Sequence, residues 1–364
     1  MKKPARLTIR AGFFCTFAPM QLTVTPENPL EWLALKTNQV PLPLLHVQMY
    51  FVMAKAVMEA AEANVFGFIG QESKNAEEIA AQCKLHPGAA SQLLTLLLSM
   101  GYLEFKGKKF GLTPMAKKWI DPQSPDSVHA IAIYNNRVVW DWITNLGHYL
   151  RTGEGVQYHD DSNAEQWKLY QDAMFAVAGS EVKEFVRRVP VSRKATNLLD
   201  IGGAHGRHAA ALSKKYPDLC VTVLDLPEAI KQAASFAPQS PKISYQMGNA
   251  LTDDLGENQY DAVLISSVVH HFTDQQNQEL THKVARALRK DGVFIVNEFI
   301  RPNFDGKAEL VGSSSDLFFG LTSTSGNWTT EEIQSWQIAA GLKPTKIINY
   351  WTLPGRAMVV AKKQ

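Results

Sequence analysis

A chain of 364 residues with 45% apolar and 20% charged residues has room for about two domains with substantial cores. Its net charge of +2 supplies no field for nucleic acid or a membrane surface. The 3 cysteines, Cys15, Cys83 and Cys220, are odd in number, far apart and without a CxxC, which argues against a disulfide framework and a zinc site and fits a reducing, cytoplasmic setting.

No run of about 18 uncharged apolar residues exists, so no transmembrane span is expected. Lys2, Lys3 and Arg6 before the apolar run 11–18 faintly resemble a signal peptide. Arg10 stands directly before that run and keeps the apolar part short, and no small-x-small cleavage site follows. Residues 1–29 are therefore expected to be a disordered tail, or an upstream start ahead of Met20.

Residues 30–127 read as one domain. From Pro43 to Phe66 the pattern is helical and apolar on most faces, with Leu44, Leu45, Val47, Tyr50, Phe51 and Val52. Such a helix is buried on more than one side, against a second subunit or inside a core. Ser73 to Cys83 reads as a capped helix, Pro87 starts another that Gly101 closes, and 102–112 reads as a hairpin. Helix, turn, helix and hairpin make a winged helix. Winged helices can bind DNA, but segment 88–100 has no Lys or Arg, and phosphate contacts need cations. The domain is expected to serve homodimerisation rather than nucleic acid.

Residues 128–190 read as linking helices with Trp140, Trp142, Trp167, Tyr170, Met174 and Phe175. Aromatics at helical spacing are usually core, yet a linker between domains is also where a cleft forms. Trp167, Met174 and Phe175 are candidates to face a flat ligand.

Across 191–364, strands are expected at 196–200, 220–224, 243–246, 260–266, 292–298, about 344–350 and 356–362. Helices alternate with them near 206–215, 227–235, 275–289 and 329–340. This is a doubly wound, Rossmann-like α/β sheet. Its ligand belongs at the carboxyl ends of the strands.

The most informative stretch is Leu198-Leu199-Asp200-Ile201-Gly202-Gly203-Ala204-His205-Gly206, a strand running into a glycine-rich turn. The next strand ends in Asp225, 19 residues after Gly206 (225 − 206). A carboxylate there can accept both ribose hydroxyls. The G-x-G-x-x-G of a dinucleotide loop is missing, and Asp200 would repel a pyrophosphate. S-adenosylmethionine carries an adenosine, a sulfonium and an ammonium but no phosphate, so the loop reads as a methyl-donor site. Asn249, with Ala250 and Leu251 beside it, could border adenine.

His270 and His271 follow the fourth strand, and Glu298 ends the next. A neutral imidazole takes a proton near pH 7, and a carboxylate on its far nitrogen fixes the tautomer. Adjacent residues point different ways, so at most one of the two histidines should face a substrate. His205 and His208 are spaced i, i+3 but lack a third-ligand motif, and no metal is expected.

Asp200-Ile201-Gly202-Gly203 with Gly206, Tyr216-Pro217, Val223 to Pro227, Gly248-Asn249, His270-His271-Phe272-Thr273-Asp274 and Asn297-Glu298 resemble the class I S-adenosylmethionine-dependent O-methyltransferases of the plant caffeic acid and bacterial small-molecule type. The resemblance covers about 30–362. It implies a winged-helix dimerisation domain before a methyltransferase sheet whose last strand runs antiparallel. It implies S-adenosylmethionine along Asp200, Gly202, Gly203, Gly206, Asp225, Leu226, Asn249, Ala250 and Ser266, with S-adenosylhomocysteine as product. His270 falls on the family's general base and Glu298, 28 residues on (298 − 270), on its support. The family often has a second carboxylate where Asn327 stands, a lysine where Ser266 stands, and Asp where Asn249 stands. Trp167, Met174, Phe175, Phe318, Phe319 and Trp328 would form the pocket of a small aromatic or conjugated acceptor. The missing carboxylate leaves methyl transfer to carbon or nitrogen, or a non-methylating enzyme of this fold, as the alternative, with a DNA-binding regulator behind it.

Overall fold

The computed structural model describes residues 25–156, 164–233, 236, 240–303 and 309–364. Most of the expected tail, residues 1–24, lies outside them. Its inner limit meets the first helix, α1 (Pro29–Lys36), where the Asn28 side chain accepts the Glu31 N–H.

The apolar stretch expected as one helix is three: α2 (Leu42–Gln48), α3 (Tyr50–Glu62) and α4 (Val65–Ile69). Asn64, at φ 58°, turns the chain between the last two, because a left-handed residue cannot continue a helix. Met58, Ala60, Ala61, Val65, Phe66 and Ile69 are buried, whereas Leu44, Val47, Tyr50, Phe51 and Val52 are exposed in the isolated chain. α5 (Ala76–Gln82) starts three residues later than Ser73 suggested, because Asn75 and Glu78 form its capping box. α6 (Pro87–Ser99) leads into the hairpin β1 (Leu103–Lys106) and β2 (Lys109–Leu112). Gly107 and Lys108, at φ 56° and 63°, supply the two left-handed residues that a tight hairpin turn requires.

Short helices α7 (Pro114–Trp119), α8 (His129–Tyr134), α9 (Trp140–Thr144) and α10 (Leu146–Thr152) precede the long α11 (Ala164–Arg188). The sheet then follows: β3 (Asn197–Ile201), α12 (Arg207–Lys215), β4 (Cys220–Asp225), α13 (Pro227–Ala233), β5 (Ile243–Met247), β6 (Tyr260–Ser266), α14 (Asp274–Ala287), β7 (Leu288–Phe299), α15 (Leu310–Thr322), α16 (Thr330–Ala339), β8 (Leu342–Asn349) and β9 (Arg356–Lys363). Strand order is β5-β4-β3-β6-β7-β9-β8. β9 runs antiparallel between β7 and β8, as expected. β7 begins earlier than expected because Leu288 already pairs with Tyr260.

Successive residues of a strand point to opposite faces, so Leu198 and Leu199 enter two different cores. Leu199, Val263, Phe294 and Trp336 build one, and Leu198, Val221, Leu264 and Met358 the other. The strand order reverses between β3 and β6, and the crevice at their carboxyl ends is where such sheets bind ligands. Among the described residues no helix is long and apolar enough to cross a membrane.

Trp336 is a keystone of the first core. Its ring meets Trp328 edge-on at 5.0 Å, and its Nε1–H donates to Asp274 Oδ1 at 2.7 Å. Trp336→Ala is expected to lower unfolding free energy by about 3–5 kcal/mol, measured by urea denaturation followed by far-ultraviolet circular dichroism.

Candidate active site

The glycine turn after β3 is built around close approach. Gly202 sits at φ 70° and donates its N–H to Leu224 O at 2.8 Å. A Cβ on Gly202 would lie 2.4 Å from a Val268 methyl, and one on Gly203 would lie 2.6 Å from Asp200 Oδ2. Gly206, at φ 67°, caps α12. The main chain of the loop is thereby open to a ligand that no side chain could accommodate.

Asp225, at the end of β4, accepts the Ala204 N–H at 2.8 Å on one oxygen and the Leu226 N–H at 2.7 Å on the other. Burial raises its carboxyl to about 6 against those two bonds. Asp200 lies behind the loop with both oxygens buried and unpartnered. Burial raises it to about 7, opposed by His208 and reinforced by Asp225. A buried acid and a half-buried one beside a glycine cradle disfavour a phosphate and suit a cation.

A cavity of about 360 Å³ opens at this edge of the sheet. Gly202, Gly203, Asp225 and Leu226 contribute to its wall, as do Asn249, Ala250 and Ser266. Trp167 and Met174 close it from α11. Asn249 accepts the Leu251 N–H at 2.9 Å and donates its own N–H to Asp253 at 3.0 Å, so it braces its turn while bordering the cavity. Asp200 and Gly206 shape the loop from outside the wall.

His270 and Glu298 meet as expected. His270 Nδ1 lies 2.9 Å from Glu298 Oε2, and the other carboxylate oxygen accepts the Phe299 N–H. His270 is only 2% exposed. Phe319 is stacked on its ring at 3.8 Å and 25°. It is His271, with its ring 4.2 Å away and its Nδ1 3.1 Å from Ser323 Oγ, that lines the cavity with Phe272.

Three expected site residues lie elsewhere. Asn327 does not hold an imidazole: its amide N–H₂ donates to Ser315 Oγ at 3.0 Å, its backbone N–H to Asp316, and its carbonyl oxygen has no partner. Trp328 is a core residue, 9% exposed, whose Nε1–H donates to Val269 O at 3.0 Å. Phe175 faces a second cavity, of about 440 Å³, with the Arg207 guanidinium 4.3 Å over its ring. A helix turns about 100° per residue, so Phe175 cannot share the direction of Met174. Phe318 packs with Met174 and Tyr134, next to the cavity. Among the described residues no group of three or more metal-binding side chains gathers. His208 Nε2 lies 3.1 Å from Glu181, while His205, driven down to about 3 chiefly by burial, accepts the Arg207 N–H.

A buried polar network beside the cavity was missed. Glu181, on α11, forms an ion pair with Arg356, the first residue of β9. Asn297 donates to Ser266 Oγ at 2.9 Å and accepts from the Tyr350 hydroxyl at 3.0 Å. Burial works to raise Glu181, and Arg356, His208 and Asn297 override it to hold the carboxyl below its usual range. The available signal was a lone acid on the helix face that carries Ala178 and Phe185, a position that tolerates charge only when paired.

Residues 138–342, more than half of the chain, match the O-methyltransferase domain family. The chain is 26% identical to a human protein named "Probable bifunctional dTTP/UTP pyrophosphatase/methyltransferase protein" over 68% of this chain and 42% of that one. It is 24% identical to the tetracenomycin polyketide synthesis 8-O-methyl transferase of Streptomyces glaucescens, over 83% of this chain and 91% of that one. It thus spans less than half of the first relative and most of the second. The crystal structure of human N-acetylserotonin methyltransferase in complex with SAM shares its fold, with a TM-score of 0.78 at 18% identity over 94% of this chain and 99% of that one. The glycine turn, the strand order and the sequence match agree: the chain belongs to the O-methyltransferase domain family.

Proposed function

We propose that this protein moves a methyl group from S-adenosylmethionine to a hydroxyl of a small aromatic or conjugated molecule. The observation that carries the reading is the cavity at the carboxyl ends of β3, β4 and β6, where a glycine cradle and Asp225 adjoin the buried His270–Glu298 pair. The residues present fit that donor. Asp225 would accept the ribose hydroxyls, Asn249, Ala250 and Leu251 would border the adenine, and Gly202 and Gly203 would let the chain approach the amino-acid end. The bound donor supplies an electrophilic methyl on a sulfonium.

The remaining chemistry falls to the chain's own side chains. Glu298 on Nδ1 orients the imidazole, so that His270 takes the acceptor's proton at Nε2 as the acceptor oxygen attacks the methyl carbon. The carboxylate then stabilises the imidazolium. Phe319 is stacked on the imidazole, and Met174 and Trp167, which line the cavity, would grip the acceptor's flat faces with Phe318. Proximity and orientation carry most of the acceleration, worth roughly 7–11 kcal/mol for a well-placed pair.

The enzyme is read as a cytoplasmic homodimer with a winged-helix dimerisation domain at 30–127, a linker at 128–190 and a methyltransferase domain at 191–364. Exposure of Leu44, Val47, Tyr50, Phe51 and Val52 on α2 and α3 supports the dimer, since so large an apolar patch marks an interaction site.

Asp225→Asn is expected to weaken S-adenosylmethionine binding at least tenfold in calorimetric titration. Ribose recognition favours the ionised carboxylate, and burial places Asp225 at about 6. Wild-type affinity should therefore fall as pH drops through that value, while the affinity of the Asp225→Asn variant stays flat. His270→Ala should cut turnover by about 10²–10⁴-fold with donor affinity retained; turnover at the wild-type rate would remove His270 from the chemistry.

A further inference from the structure

We infer that Arg356 and Glu181 are a positioning pair that ties the donor cavity to the His270–Glu298 base, an inference that rests on the methyl-transfer reading above. Arg356 is 2% exposed and lies opposite Phe299 where β9 joins β7. Because β9 runs antiparallel, its first residue arrives at the edge where the parallel strands end. A buried guanidinium is costly unless every donor is answered. Here three structures face it at once. It pairs with Glu181 on α11. It donates to Ser266 and Ser267 Oγ at 3.2 and 2.7 Å. It donates to Asn297 O at 3.3 Å, one residue before Glu298.

Each contact bears on the site. Glu181, Ser266 and Ser267 line the cavity. Ser267 holds a left-handed φ of 56°, which is strained for a residue with a Cβ, and Arg356 with the Ser267 N–H bond to Asn297 O pins that turn. Val268, next in the chain, is the side chain that bars a Cβ from Gly202, and two residues later comes His270. One guanidinium therefore sets the turn between the donor loop and the base. The charged and titratable groups facing Arg356 are Glu181, Glu298 and Tyr350. Those facing Glu181 are Arg356, His208 and Tyr350, and those facing His270 are Glu298 and His271.

The test is the pH profile of kcat/KM, with donor affinity by calorimetry, for wild type, Arg356→Gln, Arg356→Lys and Glu181→Gln. Removing a positive charge beside the Glu298–His270 pair favours the imidazolium, so Arg356→Gln should move the acid limb to higher pH by about one unit. Turnover should fall at least tenfold and donor affinity several-fold. Glu181→Gln leaves the guanidinium less neutralised and should move the limb the opposite way, and Arg356→Lys should return it toward wild type. Opposite shifts are not a signature of general damage. A fall in melting temperature with the limb and the turnover of the folded protein unmoved would overturn the inference. If Arg356→Gln does not fold, Glu181→Gln decides alone, an unmoved limb overturning it. A wild type that binds no donor would overturn the methyl-transfer reading and this one together, whereas an unmoved limb in a working wild type overturns this one alone.

Discussion

The reversal of strand order between β3 and β6 governs the rest of the molecule. At that point the two connections leave the sheet in opposite directions, which opens a crevice at the strand ends that α11 closes from the other side. The glycine turn, Asp225, the 266–268 turn and the two histidines all lie at this one edge. None needs a special device to find the others, because in-register parallel pairing brings Ile201 beside Leu224 and Ile265 and Ser266 beside Asn297.

Electrostatics at this edge are lopsided. Asp200, Asp225, Glu181 and Glu298 are carboxylates in or beside the site, and Arg356 is the guanidinium buried among them. Each acid meets burial differently. Amides hold Asp225, an imidazole and an amide hold Glu298, and Arg356 and His208 hold Glu181. Asp200 has no hydrogen-bond partner and is pushed up furthest among the acids given a value here. An excess of acids over cations in a low-dielectric cleft selects a cationic ligand before any shape does.

The aromatic residues divide by direction rather than by type. Met174 lines the cavity while Phe175 turns to the far side of α11. His271 lines it while His270 is sealed beneath Phe319. Trp328 spends its indole N–H on Val269 O and belongs to the core. Neighbours in sequence diverge by about 100° on a helix, and of the six candidate pocket residues only Trp167 and Met174 line this cavity.

Periodicity, glycine placement and terminal acids in the sequence sufficed for the alternating sheet, the glycine turn after β3 and the meeting of His270 with Glu298, because each depends on local patterning or on the convergence of parallel strand ends. The helical count before α5 was not legible in this way, since an apolar run does not mark where Asn64 turns left-handed. Tertiary structure alone decided which histidine meets the cavity and that Asn327 and Trp328 are spent elsewhere. It alone joined Glu181 to Arg356 across 175 positions (356 − 181). Those outcomes depend on side-chain direction and on contacts between distant segments, and single-residue identity carries neither; a lone buried charge acquires its meaning only from the partner that folding brings to it.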